Sequence, residues 1–410
     1  MKNETKPVRV LYSFPLKLGA QRVCLVAWQQ AKSLADAGAE MTVFPAAVSR
    51  SLPPPTKVRP TLARGKWRLP NRLLGRTAYA GLHDWIVSRR LEKMAAQIDI
   101  IHTWPLGALR TLKVARQLGI PTVLERPNAH TQFAYEVVEK ECQRLGISMP
   151  PGHEHAFDAG YLRHEEAEYA LADRLLCPSD FVVSTFVDKG FPKEKLARHQ
   201  YGFDEKLSYP GENPQNMTRG LTVLFAAGCA PRKGLHYALE AWLKSAAHRD
   251  GTFLIVGEFI PGYAEKLGSL LSHPSVKRLG YRKDLPDVMR GSDILVLPSI
   301  EEGSALVTSD ARGCGCVLLV SEAAGAICKH MENALVHRPG DVASLTQHMT
   351  LLHENRALLE KLRAASMATR HEMTWTVAGQ KLFQVYRETI AMKRRQATTD
   401  TRESKVKHAN

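Results

Sequence analysis

The sequence lacks the features that identify membrane-spanning and disulfide-stabilised proteins. Its 410 residues contain no run of about 18 apolar residues, which a transmembrane helix requires. Residues 1–14 contain no apolar stretch typical of a signal peptide. The seven cysteines include no Cys-X-X-Cys pair, and their odd number and irregular spacing indicate reduced thiols. These absences predict a cytoplasmic protein that crosses no membrane.

Acidic residues are fewer than basic ones, 41 against 56, and the formal net charge is +15. Residues 57–93, here called the basic stretch, contain ten Lys or Arg and two acids, a local surplus of eight. Such a surface attracts nucleotides, nucleic acid or anionic lipid, or it is simply a solvated face. Because Trp67, Trp85 and several leucines lie among these charges, a membrane-facing helix and an ordinary surface helix both remain open.

Short apolar runs alternate with segments of helical spacing along most of the chain. Ten runs predict strands, at 8–14, 40–46, 99–104, 121–127, 174–179, 221–228, 251–257, 276–280, 294–299 and 317–321. Helical spacing predicts helices between many of them. This alternation is typical of an α/β fold in which a parallel sheet carries helices on both faces.

A polar segment divides the chain into two such units. Residues 205–220 contain two prolines and no periodicity, which predicts a linker between a first domain, 1–204, and a second domain, 221–370. The tail, 393–410, has little to bury and is predicted to be disordered.

Parallel sheets bind ligands beyond the carboxyl ends of their strands, so the loops that follow the predicted strands should converge on one site. Those loops are 15–19, His102, 127–130, 228–234, Gly257 and 299–303.

The segment after the strand at 221–228 predicts a phosphate site. Gly228 ends the strand, and Arg232 and Lys233 precede the start of a helix. Helix N-termini bind anions through backbone N–H groups, and the two basic side chains add fixed positive charge. The pattern suits a diphosphate, although a solvated basic turn has the same composition.

Two acids follow the strand at 294–299. Glu302 leaves the strand end, and Asp310 lies eight positions later, about 12 Å further along if the segment is helical. Carboxylates at that distance could hold the hydroxyls of a hexose and of a ribose, the two ends of a nucleotide sugar. Acids near a helix start can also serve only the helix dipole.

These motifs together resemble the donor-binding half of glycosyltransferase family 4, whose members are retaining enzymes of the GT-B fold. The resemblance is carried by "PRKG" at 231–234, "LGYRKDLPDVMRGSDILVLPSIEEG" at 279–303 and "SDARGCGCVLLVS" at 309–321, with looser similarity in the first half. It implies two Rossmann-like domains that face each other across a cleft. It also implies a last helix, 371–392, that crosses back to the first domain.

The resemblance implies roles for individual residues. Glu302 would hold the donor sugar, and Lys233, with Arg232 beside it, would neutralise the leaving diphosphate. His130 would lie at the reaction centre. The implied donor-binding positions are Gly19, Gly228, Tyr281, Arg282, Glu302, Gly303, Ser304 and Asp310.

The sequence departs from the family pattern in four places, which together bear on donor choice. Asp310 replaces a glutamate, Ala20 replaces a second glycine, Cys229 stands where an arginine is frequent, and the segment "GAICKH" at 325–330 lacks the usual acid.

The expected activity is retaining transfer of a hexosyl group from a nucleotide diphosphate sugar to a hydroxyl of an envelope, lipid-linked or other glycan acceptor. The basic pair, Arg232 and Lys233, removes the need for a metal, and no cofactor beyond the donor is expected. His153 and His155 are interpreted as a surface pair rather than metal ligands. The protein would be cytoplasmic, and the basic stretch could bind the inner face of the membrane; no nucleic acid is expected.

Two alternatives of other classes remain. One is an epimerase or phosphorylase of the same fold, although the intact "PRKG" motif and acid pair argue against a phosphorylase. The other is a non-enzymatic basic binder of nucleic acid or of a partner, which leaves the acid pair unexplained.

Overall fold

The computed structural model describes residues 7–65, 67–70, 74–211 and 220–407. The first half contains strands β1 (Arg9–Leu18), β2 (Glu40–Val48), β3 (Lys57–Val58), β4 (Ala63–Arg64), β5 (Trp67–Arg68), β6 (Ile100–Thr103), β7 (Thr122–Glu125), β8 (Arg174–Cys177) and β9 (Leu196–Arg198). Seven of them form a parallel sheet in the order β3-β2-β1-β6-β7-β8-β9, and β4 pairs with β5 in an antiparallel ribbon.

Helices cover the first sheet. They are α1 (Val23–Asp36), α2 (Arg76–Met94), α3 (Leu109–Gln117), α4 (Thr131–Leu145), α5 (Ala159–Leu171) and α6 (Asp180–Asp188). Helix α3 begins where it does because the buried carboxylate of Asp84 accepts the backbone N–H groups of Arg110 and Thr111 at 2.7 and 2.9 Å. Such capping satisfies N–H groups that have no partner inside the helix.

The second half contains strands β10 (Thr222–Ala226), β11 (Thr252–Val256), β12 (Val276–Gly280), β13 (Ile294–Leu297), β14 (Val317–Ser321) and β15 (Ala334–His337). They form a parallel sheet in the order β12-β11-β10-β13-β14-β15. The accompanying helices are α7 (Leu235–Lys244), α8 (Tyr263–Ser272), α9 (Leu285–Arg290), α10 (Leu306–Gly313), α11 (Val342–Glu354) and α12 (Arg356–Ala368). The predicted fold class, two α/β domains built on parallel sheets, is confirmed.

The central strands explain why the prediction succeeded in the second half. All four residues of β13 are fully buried, because helices cover both faces of the sheet. A strand buried on both faces is apolar throughout, so its sequence appears as an uninterrupted run.

The last helix, α13 (Trp375–Lys407), returns to the first domain. Leu382 and Tyr386 are buried there in one cluster with Val26 of α1. Gly379 makes the close approach possible, since a Cβ at that position would lie 2.4 Å from the Cβ of Ser33. The second domain is therefore inserted between two parts of the first.

The structure corrects three sequence predictions. The tail is helical up to Lys407 instead of disordered, and 408–410 lie outside the described residues. Its sequence after Gly379 contains neither glycine nor proline, so the helix that packs on α1 can continue. The expected loop 15–19 is strand up to Leu18, because β1 pairs with β2 as far as Val48.

The third correction concerns the helices. Helices α4, α6, α11 and α12 were not predicted. Part of the predicted linker, 212–219, lies outside the described residues. In the part of the chain that is described, no helix has both the length and the apolar character needed to cross a membrane.

Candidate active site

The basic pair lies at the carboxyl end of β10. A short 3-10 turn, Pro231–Lys233, follows the strand and ends at Gly234, whose φ is +71°. A Cβ at Gly234 would lie 2.1 Å from the carbonyl oxygen of Pro298, so only glycine allows this turn to pack against the chain leaving β13. The turn thereby brings Arg232 and Lys233 to the loop that carries Glu302.

Glu302 contacts both members of the basic pair. Its carboxylate lies 3.2 Å from Nη1 of Arg232 and forms a second ion pair with Nζ of Lys233. All three residues are nearly buried. Burial, followed by the charge of Arg232, lowers the pKa of Lys233. The structure thus brings together three of the four predicted catalytic residues in a poorly hydrated site.

The neighbouring acid, Glu301, is part of the same cluster, although no motif or spacing in the sequence singles it out. Its carboxylate lies 3.1 Å from Arg232 Nη1 and 3.1 Å from His155 Nε2, and it accepts the backbone N–H of Ala129 at 3.2 Å. Burial raises the pKa of Glu301, but the charge of Arg232 and the hydrogen bond from His155 outweigh it and hold that pKa at about 2. Glu301 is therefore an ionised carboxylate shared by both domains.

The domains meet at Gly303. A Cβ on this residue would lie 1.7 Å from the carbonyl oxygen of Pro127 in the first domain, and Ser179 Oγ donates a hydrogen bond to the Gly303 carbonyl. The loop after β7 and the loop after β13 thus converge, as the topology predicted. Ser304, the next predicted donor-binding residue, is half-buried beside this contact.

Asp310 is held differently from the expectation. Helix α10 begins at Leu306, so Glu302 precedes the helix and the two acids do not lie along one helix. Asp310 accepts a hydrogen bond of 3.0 Å from Ser208, in the segment that joins the domains. Burial raises the pKa of Asp310 to about 6, helped by Asp204 and opposed by Ser208.

His130 does not lie on the surface of the site, contrary to the prediction. It is 2% exposed, and its ring packs against Tyr169, Phe186 and Phe191. Its Nδ1 accepts the backbone N–H of Gln132 and so caps α4. Burial lowers the pKa of His130 to about 4, so the ring is neutral at physiological pH. We assign it a structural role at the start of α4.

His102 is also internal. It is fully buried, and its Nδ1 lies 2.6 Å from the hydroxyl of Tyr386 on α13. Its Nε2 lies 3.5 Å from Glu125, the last residue of β7. His102 therefore joins the last helix to the first sheet and takes no part in the loop cluster.

The two predicted phosphate-binding glycines have different surroundings. Gly19 has a φ of +76°, and a Cβ there would lie 2.5 Å from the Cβ of Arg50. Packing against the chain after β2 is thus sufficient to require glycine at this position. Gly228 is exposed and has open space around its Cβ position, which leaves its backbone accessible at the end of β10.

Tyr281 and Arg282 lie on the surface after β12. Tyr281 is 61% exposed, and Arg282 is held by Asp284, with Nε 2.8 Å from Oδ1. The pair flanks the same edge of the second sheet as Gly228, since β12 and β10 both run toward it.

A cavity of about 250 Å³ in the first domain faces the cluster and was not predicted. Its aromatic lining consists of Phe14, Trp104, Tyr135 and Tyr161. Arg22 and Arg76 are exposed residues of its lining, and His155 belongs to the lining as well. The prediction that His153 and His155 form a surface pair is therefore wrong for His155, which is 5% exposed and hydrogen-bonded to Glu301.

The carboxylates of this site, Glu301 and Glu302, form ion pairs with basic side chains. Within the described ranges, no three His, Cys, Asp or Glu side chains are arranged so that they could hold a metal ion.

Comparison with protein families gives two matches, one to each half of the chain. A model described as Glycosyltransferase Family 4 matches residues 25–206, and one described as Glycosyl transferases group 1 matches residues 220–355. No curated protein matches the sequence significantly.

Several solved structures have the same fold. HepE from Anabaena, in complex with UDP and glucose, superposes with a TM-score of 0.62 at 18% identity, covering 93% of this chain and 100% of HepE. Sucrose-phosphate synthase from Thermosynechococcus elongatus has a TM-score of 0.65 at 18% identity, covering 94% and 100%. WaaG, a glycosyltransferase involved in lipopolysaccharide biosynthesis, has a TM-score of 0.62 at 14% identity, covering 92% and 99%.

Proposed function

Because this chain belongs to glycosyltransferase family 4, we propose that it transfers a hexosyl group from a nucleotide diphosphate sugar to a hydroxyl of a glycan acceptor, with retention of configuration. One observation carries the proposal. Glu302 pairs with Arg232 and Lys233 at the junction of the two domains, in a nearly buried cluster. This arrangement combines a carboxylate for sugar hydroxyls with two positive groups for a diphosphate.

The chemistry follows from the charges that develop. Cleavage of the sugar–phosphate bond places negative charge on the diphosphate and positive charge on the sugar ring. Arg232 and Lys233 would stabilise the diphosphate, and their effect is strengthened because the site is largely closed to water. When the donor binds, Lys233 would leave its ion pair with Glu302 and pair with a phosphate oxygen. Glu302 would then be free to accept hydrogen bonds from the sugar.

Retention would follow if the acceptor attacks the face that the diphosphate leaves. The departing phosphate would accept the proton of the attacking hydroxyl, so no protein nucleophile is required. His130 would take no part in this step, because its ring is packed among aromatic side chains. The basic pair would also supply the positive charge that a metal ion supplies in other transferases, and we propose a metal-independent reaction.

The nucleotide would lie along the edge of the second sheet. The open backbone at Gly228 would receive the phosphates, Asp310 the ribose, and the loop of Tyr281 and Arg282 the base. To bind the ribose, Asp310 would have to replace its hydrogen bond from Ser208 with one from a ribose hydroxyl. HepE has been crystallised with UDP and with UDP-glucose, which supports uridine nucleotides as the first donors to test.

The acceptor would occupy the cavity of the first domain. Aromatic rings such as Trp104 and Tyr135 offer flat apolar surfaces, and the surrounding arginines offer hydrogen-bond donors. An envelope or lipid-linked glycan is the proposed class. The basic stretch would hold the protein on the cytoplasmic face of an anionic membrane, since Trp67 is 85% exposed and Trp85 47% exposed among its charges.

The experiment begins with the donor. Thermal shift with UDP, GDP, ADP and their sugars identifies the nucleotide, because a ligand that binds the folded state stabilises it. Transfer to an envelope glycan extract is then measured for Glu302→Gln and for Glu332→Gln, whose carboxylate pairs with Lys329 on the surface.

Glu302→Gln should lower the transfer rate by about 100-fold or more, as loss of a transition-state contact does. Its affinity for the nucleoside diphosphate should remain within about tenfold of the unmodified protein, because the basic pair is retained. Glu332→Gln should transfer normally. Normal transfer by Glu302→Gln would exclude the assigned role.

A further inference from the structure

We propose that Glu301 and His155 are positioning residues that orient Arg232 toward the diphosphate of the donor; the inference rests on the proposed function. Neither residue belongs to the expected set of donor contacts. They are selected by their contacts alone, which join the first domain to the basic pair of the second.

Glu301 fixes Arg232 at two points. Nη1 of Arg232 donates to the carbonyl oxygen of Glu301 at 2.8 Å and to its carboxylate at 3.1 Å. Among the described residues, the hydrogen bonds and ion pairs of the Arg232 side chain all use this one nitrogen. The guanidinium is planar and rigid, so fixing one nitrogen also fixes the direction of the remaining N–H groups. Those groups are the ones available to phosphate oxygens.

His155 fixes Glu301 from the opposite side. Its Nε2 lies 3.1 Å from the carboxylate oxygen that also contacts Arg232. The backbone N–H of Ala129 holds the second oxygen at 3.2 Å. A carboxylate held on both oxygens by the first domain cannot rotate without breaking a bond. The orientation of Arg232 therefore depends on residues of the other domain.

His155 is itself held in place. It is 5% exposed, its backbone N–H donates to His153 Nδ1 at 3.1 Å, and its own Nδ1 faces Glu154 at 3.7 Å. The resulting series of contacts runs from His155 through Glu301 to Arg232. It makes the diphosphate site complete only when the two domains are in contact at this point.

The test uses discrimination between diphosphate and monophosphate, because a merely structural residue should affect both nucleotides equally. The dissociation constants of UDP and UMP, or of the corresponding pair if the thermal-shift screen selects another base, are measured by calorimetry. The variants are His155→Ala, His155→Gln, Arg232→Ala, the double variant His155→Ala/Arg232→Ala, and the surface control His371→Ala.

His155→Ala should reduce the preference for diphosphate by about 10-fold or more, the effect of losing one well-oriented charge-assisted hydrogen bond. His155→Gln keeps a hydrogen-bond donor and should retain most of the preference. Because His155 acts through Arg232, the double variant should lose no more than Arg232→Ala alone. The His371→Ala control should match the unmodified protein.

Three results would overturn the inference. One is an unchanged preference in His155→Ala, and another is an equal loss of affinity for both nucleotides. The third is a further loss in the double variant. If the unmodified protein binds no nucleoside diphosphate, the proposed function fails, and this inference fails with it.

Discussion

Replacing Gly303 by alanine should separate the two domains at the site. The added Cβ would lie 1.7 Å from the carbonyl oxygen of Pro127 and 3.0 Å from the backbone nitrogen of Asn128. Both obstacles are backbone atoms, so no side chain can rotate away to make room. An ordinary contact begins at 3.4 Å, and the chain must therefore move by about 1.7 Å.

A movement of this size breaks the neighbouring contacts. The bond from Ala129 N–H to Glu301 is 3.2 Å long and the bond from His155 is 3.1 Å long, so both would exceed the range of a hydrogen bond. Overpacking of this kind costs about 1–3 kcal/mol in stability. A displacement of about 1 Å at a reaction centre can lower a rate by about 100-fold.

The assay measures the melting temperature without ligand and the transfer rate for Gly303→Ala. Gly81→Ala is the control, because a Cβ at Gly81 meets nothing within 4 Å. The melting temperature should fall by roughly 2–10 °C and the rate by about 100-fold. Because the melting temperature is measured without ligand, a fall in it reports the clash between the two domains and not a clash between the new methyl group and the donor sugar. An unchanged melting temperature would refute the reasoning, whatever happens to the rate.

Three further predictions follow from the site and the surface. Transfer should continue in excess EDTA, and a loss restored by a divalent cation would show that the basic pair does not replace a metal. The protein should float with anionic but not neutral vesicles at low salt, less so for Trp67→Ala; no flotation would leave the basic stretch with another role. Burial lowers the pKa of His83 to about 3, so below the unfolded value of about 6.5 protons bind preferentially to the unfolded chain and stability falls as pH falls. Between pH 7.5 and 5.5 this loss should be smaller by about 1.3 kcal/mol in His83→Gln than in the unmodified protein, measured by denaturant titration; equal losses would contradict it.

The sequence was sufficient for those parts of the fold in which local pattern and tertiary burial agree. Strands such as β10 and β13 are buried on both faces, so their apolar runs appear without interruption. The contact between Glu302 and the basic pair was also predictable, because parallel strands bring their carboxyl ends to the same edge of a sheet.

The remaining site depends on contacts between distant residues. His155 and Glu301 are 146 positions apart, and no periodicity or motif connects them. The burial of His130 depends on Phe186 and Phe191, which belong to α6 and the segment after it, elements outside the predicted set. Local pattern can indicate that a residue follows a strand, but it cannot indicate which side chains of other elements will cover it.

The two passages of the chain between the domains run side by side. The N–H of Phe203 donates to the carbonyl oxygen of Met373 at 3.0 Å, and a Cβ on Gly202 would lie 2.4 Å from the backbone nitrogen of Trp375. The outgoing and returning segments therefore form one double connection instead of two separate tethers. Sliding one domain past the other would shear this pairing, whereas turning about it leaves the pairing intact. The pairing near Phe203 therefore opposes sliding of the two domains more than rotation about it, and the close contact at Gly303 opposes further approach of the domains on the side of the site.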